Sequence, residues 1–232
     1  MTNLNLDKTQ KTVICDTETG GVSPFVNSIC SISMKVFNEP YAKTWYILPY
    51  GKQYDKKAME INGITEEFLK EKGQEPREVI KEIILFIKKY ANYNENNLIH
   101  YHPFILAHNA IFDLQFLNVF FNEFHNRLFS SYFHYHPIDT MILMKGLVDS
   151  KVIPLKYVGL KHCYKYLFGK DFENQHTSEA DVLATEQVYK EYLKLLLELK
   201  EHSTFVKHVQ NHLSKDEVVQ CKICGKFISD VI

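Results

Sequence analysis

Three absences narrow the reading before any motif is considered. No apolar run in the 232 residues approaches the about 20 that a membrane-spanning helix needs, so no membrane association is expected. Met1 to Lys11 is hydrophilic and lacks the apolar stretch of a secretory signal. The five cysteines are scattered and do not form a disulfide framework in a chain of this length. A cytoplasmic protein is the expectation. Charge of one sign is also missing: 27 Lys and Arg stand against 28 Asp and Glu, a net of -1. That argues against extensive gripping of a nucleic-acid duplex, but not against an enzyme that holds a few nucleotides through metal ions.

What is present is ordinary globular material. At 45% hydrophobic and 24% charged residues the composition excludes wholesale disorder, and the length suits one or two domains. Most of the 16 Phe and 14 Tyr are expected in the core, with stacking surfaces for bases as the alternative. No internal repeat or low-complexity tract interrupts the chain.

The hydrophobic pattern orders the elements. Val13-Ile14-Cys15-Asp16 reads as a strand running into the turn at Gly20-Gly21. Ser28 to Phe37 alternates Ile29, Ser31 and Ser33 against Cys30, Ile32, Met34 and Val36, and Thr44 to Leu48 forms a third strand closed by Pro49. The three make an antiparallel meander. Pro76 suits a first helical position, and Val79, Ile80, Ile83, Ile84 and Ile87 follow at helical spacing. Phe104 to Ala107 is a short strand, and Phe116, Leu117, Phe120, Phe121 and Phe124 stripe a helix behind it. Pro137 to Leu143 reads as a strand or strand end, and Leu155 to Leu167 as a short helix. From Ser178 to Lys200 a long helix presents Val188, Tyr192, Leu195, Leu196 and Leu199 as its buried face. Strands followed by alternating helices and strands predict an α/β fold with a mixed sheet and helices on both faces.

Three acidic positions break this pattern. Asp16 and Glu18 stand two apart on a strand and so share one face, which is costly on an apolar strand unless something cationic satisfies them. A solvated surface pair is the bland reading. Asp113 lies in register with Leu117, Phe120 and Phe124 on the inner side of its helix, although an aspartate in a first turn also suits the helix dipole. Asp181 aligns with Ala184, Val188, Tyr192 and Leu199, one turn after Ser178 as N-cap, and His176 precedes it in a loop.

Taken in order, Asp16-x-Glu18, His108-Asn109-x-x-Phe112-Asp113 and His176-x-x-x-x-Asp181 resemble the three motifs of the DEDDh (DnaQ-like) 3′→5′ exonucleases of the RNase H-like superfamily. That family includes polymerase proofreading subunits such as the epsilon type, RNase T and oligoribonuclease. Ile61-Asn62-Gly63-Ile64-Thr65 and Ile138-Asp139-Thr140 are similar to two further family segments, and the resemblance spans roughly Lys11 to Lys200. It implies an RNase H-like sheet in which the acids hold two Mg²⁺ or Mn²⁺ ions. Asp16 would bridge both, Glu18 and Asp181 would lie on the nucleophile-side ion, and Asp113 would hold the other through water. Independently, an all-oxygen ligand set suits these cations, and paired ions stabilise the attacking and leaving oxygens of an in-line displacement. An imidazole titrates near neutrality, so His176 would serve as general base. The implied substrate-binding residues are Thr17, Thr19, Gly20, His108, Asn109 and Phe112. The implied partner is a nucleic acid with a free 3′ end, single-stranded DNA or short RNA, which would release nucleoside 5′-monophosphates; a DNA polymerase is a further candidate partner. Gly20 departs from the family's usual second threonine, leaving only backbone for contact with the nucleotide. Cys30 and Ser31 stand where an acidic residue or glutamine is common. The reading from another class is a catalytically silent exonuclease-like module that docks a polymerase or a nucleic-acid end. Retention of all five site residues weighs against it.

The composition shifts after Lys200, dividing an exonuclease domain, 1–200, from a C-terminal appendage, 201–232. His208 and His212 are four apart on a helix, and Cys221 and Cys224 form a CxxC, together a candidate set for one structural Zn²⁺. Their order reverses the usual finger, and an exposed tail with free thiols is the alternative. Cys15, Cys30 and Cys163 are expected in the core.

Overall fold

β1 (Thr12–Thr19) is the strand on which the sheet is built, flanked on both sides and reached by helices from both faces. The computed structural model describes residues 11–90, 92–93 and 99–212. β2 (Ile29–Val36) and β3 (Ala42–Tyr46) extend the sheet antiparallel from one edge of β1. On its other side run β6 (Phe104–Ala107) and β7 (Ile138–Asp139), both parallel, giving the five-stranded order β3-β2-β1-β6-β7. β4 (Asn92–Tyr93) and β5 (Ile99–Tyr101) form a separate two-stranded ribbon. The meander and the mixed α/β sheet expected from the sequence are both present.

The two faces of the sheet carry different chemistry. Val13 and Cys15 of β1, with Ile32, Met34 and Val36 of β2, form the floor of an apolar core. It is roofed by Val79, Ile80, Ile83 and Ile87 of α3 (Pro76–Tyr90) and by Phe116, Leu117, Phe120 and Phe121 of α4 (Ala110–His125). Each large side chain buried there is worth about 1.5–3 kcal/mol. Alternation sends Ile14, Asp16 and Glu18 to the opposite face, where their cross-strand partners are Lys35, Ser33 and Ser31. The first turns of α7 (Ser178–His212) cover that face, so every residue of β2 is buried and the alternation of serine with apolar residues does not mark a solvent side.

Covering a polar face requires polar contacts. Lys35, 3% exposed, meets the Glu186 carboxylate at 2.8 Å and also reaches the backbone carbonyl of Glu39. The other Glu186 oxygen accepts from the Asn38 N–H at 2.8 Å. A charge pair in an interface sets register, because sliding the helix by one turn would strand both charges.

Several elements differ from expectation. Of Pro137 to Leu143 only Ile138 and Asp139 are strand; α5 (Thr140–Asp149) starts immediately because Asp139 caps it. The short helix α6 (Leu160–Phe168) begins only after Gly159, whose backbone is extended. Two seven-residue helices, α1 (Lys56–Asn62) and α2 (Glu66–Lys72), lack a clear apolar period, yet their punctuation was in the sequence. Gly63, with φ +67°, ends the first, and the Thr65 hydroxyl accepts from the Phe68 N–H to start the second. Phe129–Tyr132 form a 3₁₀ turn.

The chain divides into compact units of residues 1–188 and 189–232, and the compositional boundary expected at Lys200 falls inside α7. Val188 is buried, but Leu196 and Leu199, expected on the same buried face, are 40% and 42% exposed. Of the candidate zinc ligands, Cys221 and Cys224 lie outside the described residues, as do the side chains of His208 and His212. Among the described residues no helix is long and apolar enough to cross a membrane.

Glu186→Met should cost about 3–5 kcal/mol, because it leaves the Lys35 ammonium buried without its partner. Adding Lys35→Met should recover at least half of that loss, measured by urea unfolding. A double variant as unstable as the single one would show that the pair does not act as a unit.

Candidate active site

Four carboxylates reach the C-terminal end of β1 from three elements. Asp16 and Glu18 come from the strand itself. Asp181 comes from α7, whose register is set one turn earlier by a hydroxyl chain. Ser178 Oγ lies 2.9 Å from Ser31 Oγ and 2.8 Å from Ser33 Oγ, and Ser33 Oγ is 2.6 Å from Thr44 Oγ1. Ser178 is therefore not the N-cap expected from the sequence, since its hydroxyl is engaged with the sheet. Thr177 takes that role, its Oγ1 accepting from the Ala180 N–H at 3.3 Å. One carboxylate oxygen from each of Asp16, Glu18 and Asp181 lies within 4.8 Å of the other two.

Asp113 arrives on α4 and is 3% exposed. Its Oδ1 accepts from both the backbone N–H of Thr17, at 2.9 Å, and the Thr17 hydroxyl, at 2.8 Å. The start of α4 is fixed in turn by Asp139, whose carboxylate accepts from the N–H groups of Asn109 at 3.0 Å and Ala110 at 2.9 Å. The same carboxylate caps α5 through the Met141 N–H at 2.9 Å. Asp139 thus joins two helix N-termini, where an anion is favoured. The sequence places Asp139 in the Ile138-Asp139-Thr140 segment without marking it as a site residue; its position as N-cap of α5 is the signal that points to it.

Bringing these acids together has an electrostatic consequence. Burial first, and then the neighbouring Asp113, Asp181 and Glu18 charges, hold the Asp16 carboxyl well above the ordinary range. Burial, followed by Asp181 and Asp113, pushes Glu18 up to about 8. Asp113 rises to about 7 through burial, against the pull of its Thr17 hydrogen bonds, and Asp181 to about 6, against a hydrogen bond from the His176 backbone. Asp181 Oδ1 is buried with no hydrogen-bond partner. A buried carboxylate oxygen without a donor, facing two more carboxylates, fits a hard divalent cation, for which oxygen ligands are the preferred set. Asp16, Glu18 and Asp181 are the residues that could hold it, with Asp113 beside them.

The expected substrate-binding residues mostly brace the site. Thr17 holds Asp113, and the Thr19 hydroxyl donates to the Gly21 carbonyl at 2.7 Å. Gly20 was expected to offer its backbone, yet its N–H donates to Ser28 O at 2.8 Å and its carbonyl accepts from the Asp55 N–H at 2.6 Å. A Cβ at Gly20 would lie 2.7 Å from the Tyr54 ring, which is why glycine stands there. His108 has both ring nitrogens engaged: Nε2 with the Val158 carbonyl at 2.9 Å and Nδ1 with the Thr140 hydroxyl at 2.8 Å. Burial lowers its pKa. Phe112 packs half-buried on Phe116 with ring centroids 5.0 Å apart, and Asn109 adopts the left-handed conformation with φ +67° at the start of α4. His176 is exposed, five residues before Asp181, in a left-handed turn with φ +68°.

No family model matches this chain. Ribonuclease T of Vibrio parahaemolyticus serotype O3:K6 (strain RIMD 2210633) is 31% identical over 116 residues, covering 46% of this chain and 52% of that protein. The chain therefore spans about half the length of this curated relative. Among solved structures, E. coli exonuclease I in complex with a dT13 oligonucleotide matches with a TM-score of 0.64 at 18% identity, over 80% of this chain and 41% of that one. The zinc-bound form of the E. coli exonuclease I–ssDNA complex matches with a TM-score of 0.65 at 20% identity, over 84% and 43%. The fold is that of exonuclease I, and the expected RNase H-like sheet is the one found.

The raised carboxyls fix the sign of a pH effect. Each binds its proton more tightly folded than unfolded, so its contribution to stability is fully present below about pH 4 and is lost as pH rises through the folded values near 6 to 8. Without divalent cations, Asp181→Asn should therefore stabilise the protein relative to wild type at pH 8 and much less at pH 5, as read from urea midpoints in EDTA. A variant equally or less stable than wild type at pH 8 would contradict the assigned repulsion.

Proposed function

We propose that the chain is a 3′→5′ exonuclease of the DEDDh type that removes nucleoside 5′-monophosphates from the 3′ end of single-stranded DNA or short RNA with two Mg²⁺ or Mn²⁺ ions. The observation that carries this reading is the partnerless buried oxygen of Asp181, placed within ligand reach of Asp16 and Glu18. The likeness to ribonuclease T over half of that enzyme's length supports it.

Divalent ions at such a site supply charge for the attacking and leaving oxygens of an in-line displacement at phosphorus. The rest falls to the protein. Asp16, Glu18 and Asp181 would hold one ion, and Asp16, with the Asp113 charge beside it, would be shared with a second. Thr17 orients Asp113 through two hydrogen bonds to one of its oxygens. His176, exposed in the turn before α7, takes the proton of the attacking water as general base. Its position outside the buried cluster lets the imidazole exchange that proton with solvent after each turnover.

Incubating 5′-labelled single-stranded DNA and RNA side by side with Mg²⁺ or Mn²⁺ tests the reading, with product length resolved on a gel. Stepwise shortening from the 3′ end is expected, and Asp16→Ala should abolish it. His176→Ala should lower turnover by roughly 10²–10⁴-fold while divalent-ion binding survives, since the imidazole is not a ligand. Undiminished cleavage by Asp16→Ala, with contaminants excluded, would sink the mechanism.

A further inference from the structure

Charge in this chain is balanced overall but not locally. Residues 151–170 hold five of the lysines, Lys151, Lys156, Lys161, Lys165 and Lys170, with His162, and contain no Asp or Glu. All five lysines are exposed. Two large aromatics in the same stretch are exposed as well, Tyr157 at 57% and Tyr166 at 43%. On α6, Lys161 and Lys165 are four apart, as are His162 and Tyr166, so the four cover one continuous sector of the helix. Before the helix the pattern continues: Lys156 Nζ lies 5.2 Å from the Tyr157 ring centroid, and that ring is 5.5 Å from His162. Cations interleaved with exposed rings are what a single strand requires, with phosphates and base faces presented alternately. The Lys165 ion pair with Asp171, 3.1 Å long and exposed, is a weak competitor for a phosphate.

The stretch is also tied to the acid site. The Val158 carbonyl accepts the Nε2 hydrogen bond of His108, the residue at the start of the segment that leads through Asn109 to Asp113. We infer that the surface of residues 156–166 is the track for the single strand lying 5′ of the nucleotide removed, its phosphates on Lys156, Lys161 and Lys165 and its bases on Tyr157 and Tyr166. This rests on the exonuclease reading. It explains how a chain with net charge -1 holds a polyanion: the basic charge is gathered on one surface.

The test uses the full chain and 5′-fluorescein-labelled dT12 and rU12. In EDTA, where cleavage cannot occur, binding is measured across a salt series. The triple variant Lys156→Gln, Lys161→Gln, Lys165→Gln should raise Kd at least tenfold at low salt and flatten the log–log salt slope by about 2, since each single-strand phosphate contact contributes about 0.7. Tyr157→Ala with Tyr166→Ala should raise Kd roughly fivefold or more and leave the slope unchanged. Equal losses for both oligonucleotides support recognition through the shared phosphodiester, and loss on one alone assigns the track to DNA or RNA. With Mg²⁺ present, the triple variant's rate on dT12 should fall at least tenfold relative to its own rate on a dinucleotide. No measurable wild-type binding, or a triple variant with wild-type Kd and slope, would overturn the track. Wild-type binding without cleavage would instead remove the exonuclease reading and leave the track standing.

Discussion

Like charge held at short range is the constraint from which the rest of the structure follows. Asp16, Glu18 and Asp181 place carboxylate oxygens within 4.8 Å of one another, Asp113 adds a fourth charge, and burial denies all of them full hydration. Such a group has two ways to exist, with protons or with a cation. The raised affinities of Glu18, Asp113 and Asp181 for protons measure how strongly the site calls for positive charge. Nothing in a fold's stability rewards this arrangement. Such a cost is what a buried cluster without a bound cation incurs.

The surrounding elements hold the acids against that repulsion, each by a different device. β1 contributes two by simple alternation. α4 is held by Asp139 at its start, while Thr17 grips Asp113 at its first turn. α7 is held in register by Ser178 between Ser31 and Ser33 on one side of Asp181, and by Glu186 on Lys35 on the other. The serine face of β2 is the seat of these contacts. Thr17, Thr19 and His108, implied by the resemblance as substrate contacts, make hydrogen bonds within the protein that brace the acid site.

The parts of this arrangement legible in the sequence are those governed by short-range periodicity. The apolar stripe of α3, the phenylalanines of α4 and the pairing of Asp16 with Glu18 on one strand face follow from spacings of 3.6 and 2. The anomaly of Asp113 and Asp181 on inner faces was readable for the same reason. The contacts that fix them were not, because they join residues far apart: Thr17 to Asp113 spans 96 positions and Ser33 to Ser178 spans 145. Short helices such as α1 and α2 have too few turns for a period, and the sequence reading did not find them, although Gly63 and Thr65 carried a cap signal.

The mechanism turns on whether the acid cluster takes up divalent cations. Electron paramagnetic resonance of Mn²⁺ titrated into the protein counts bound ions directly, without requiring turnover or a substrate. Two Mn²⁺ per chain are expected for wild type, with binding weakened as pH falls below the folded pKa values near 6 to 8. Asp16→Ala should remove both from the millimolar range. Wild-type protein that leaves all added Mn²⁺ free at millimolar concentration, or Asp16→Ala that binds as wild type does, would contradict the account.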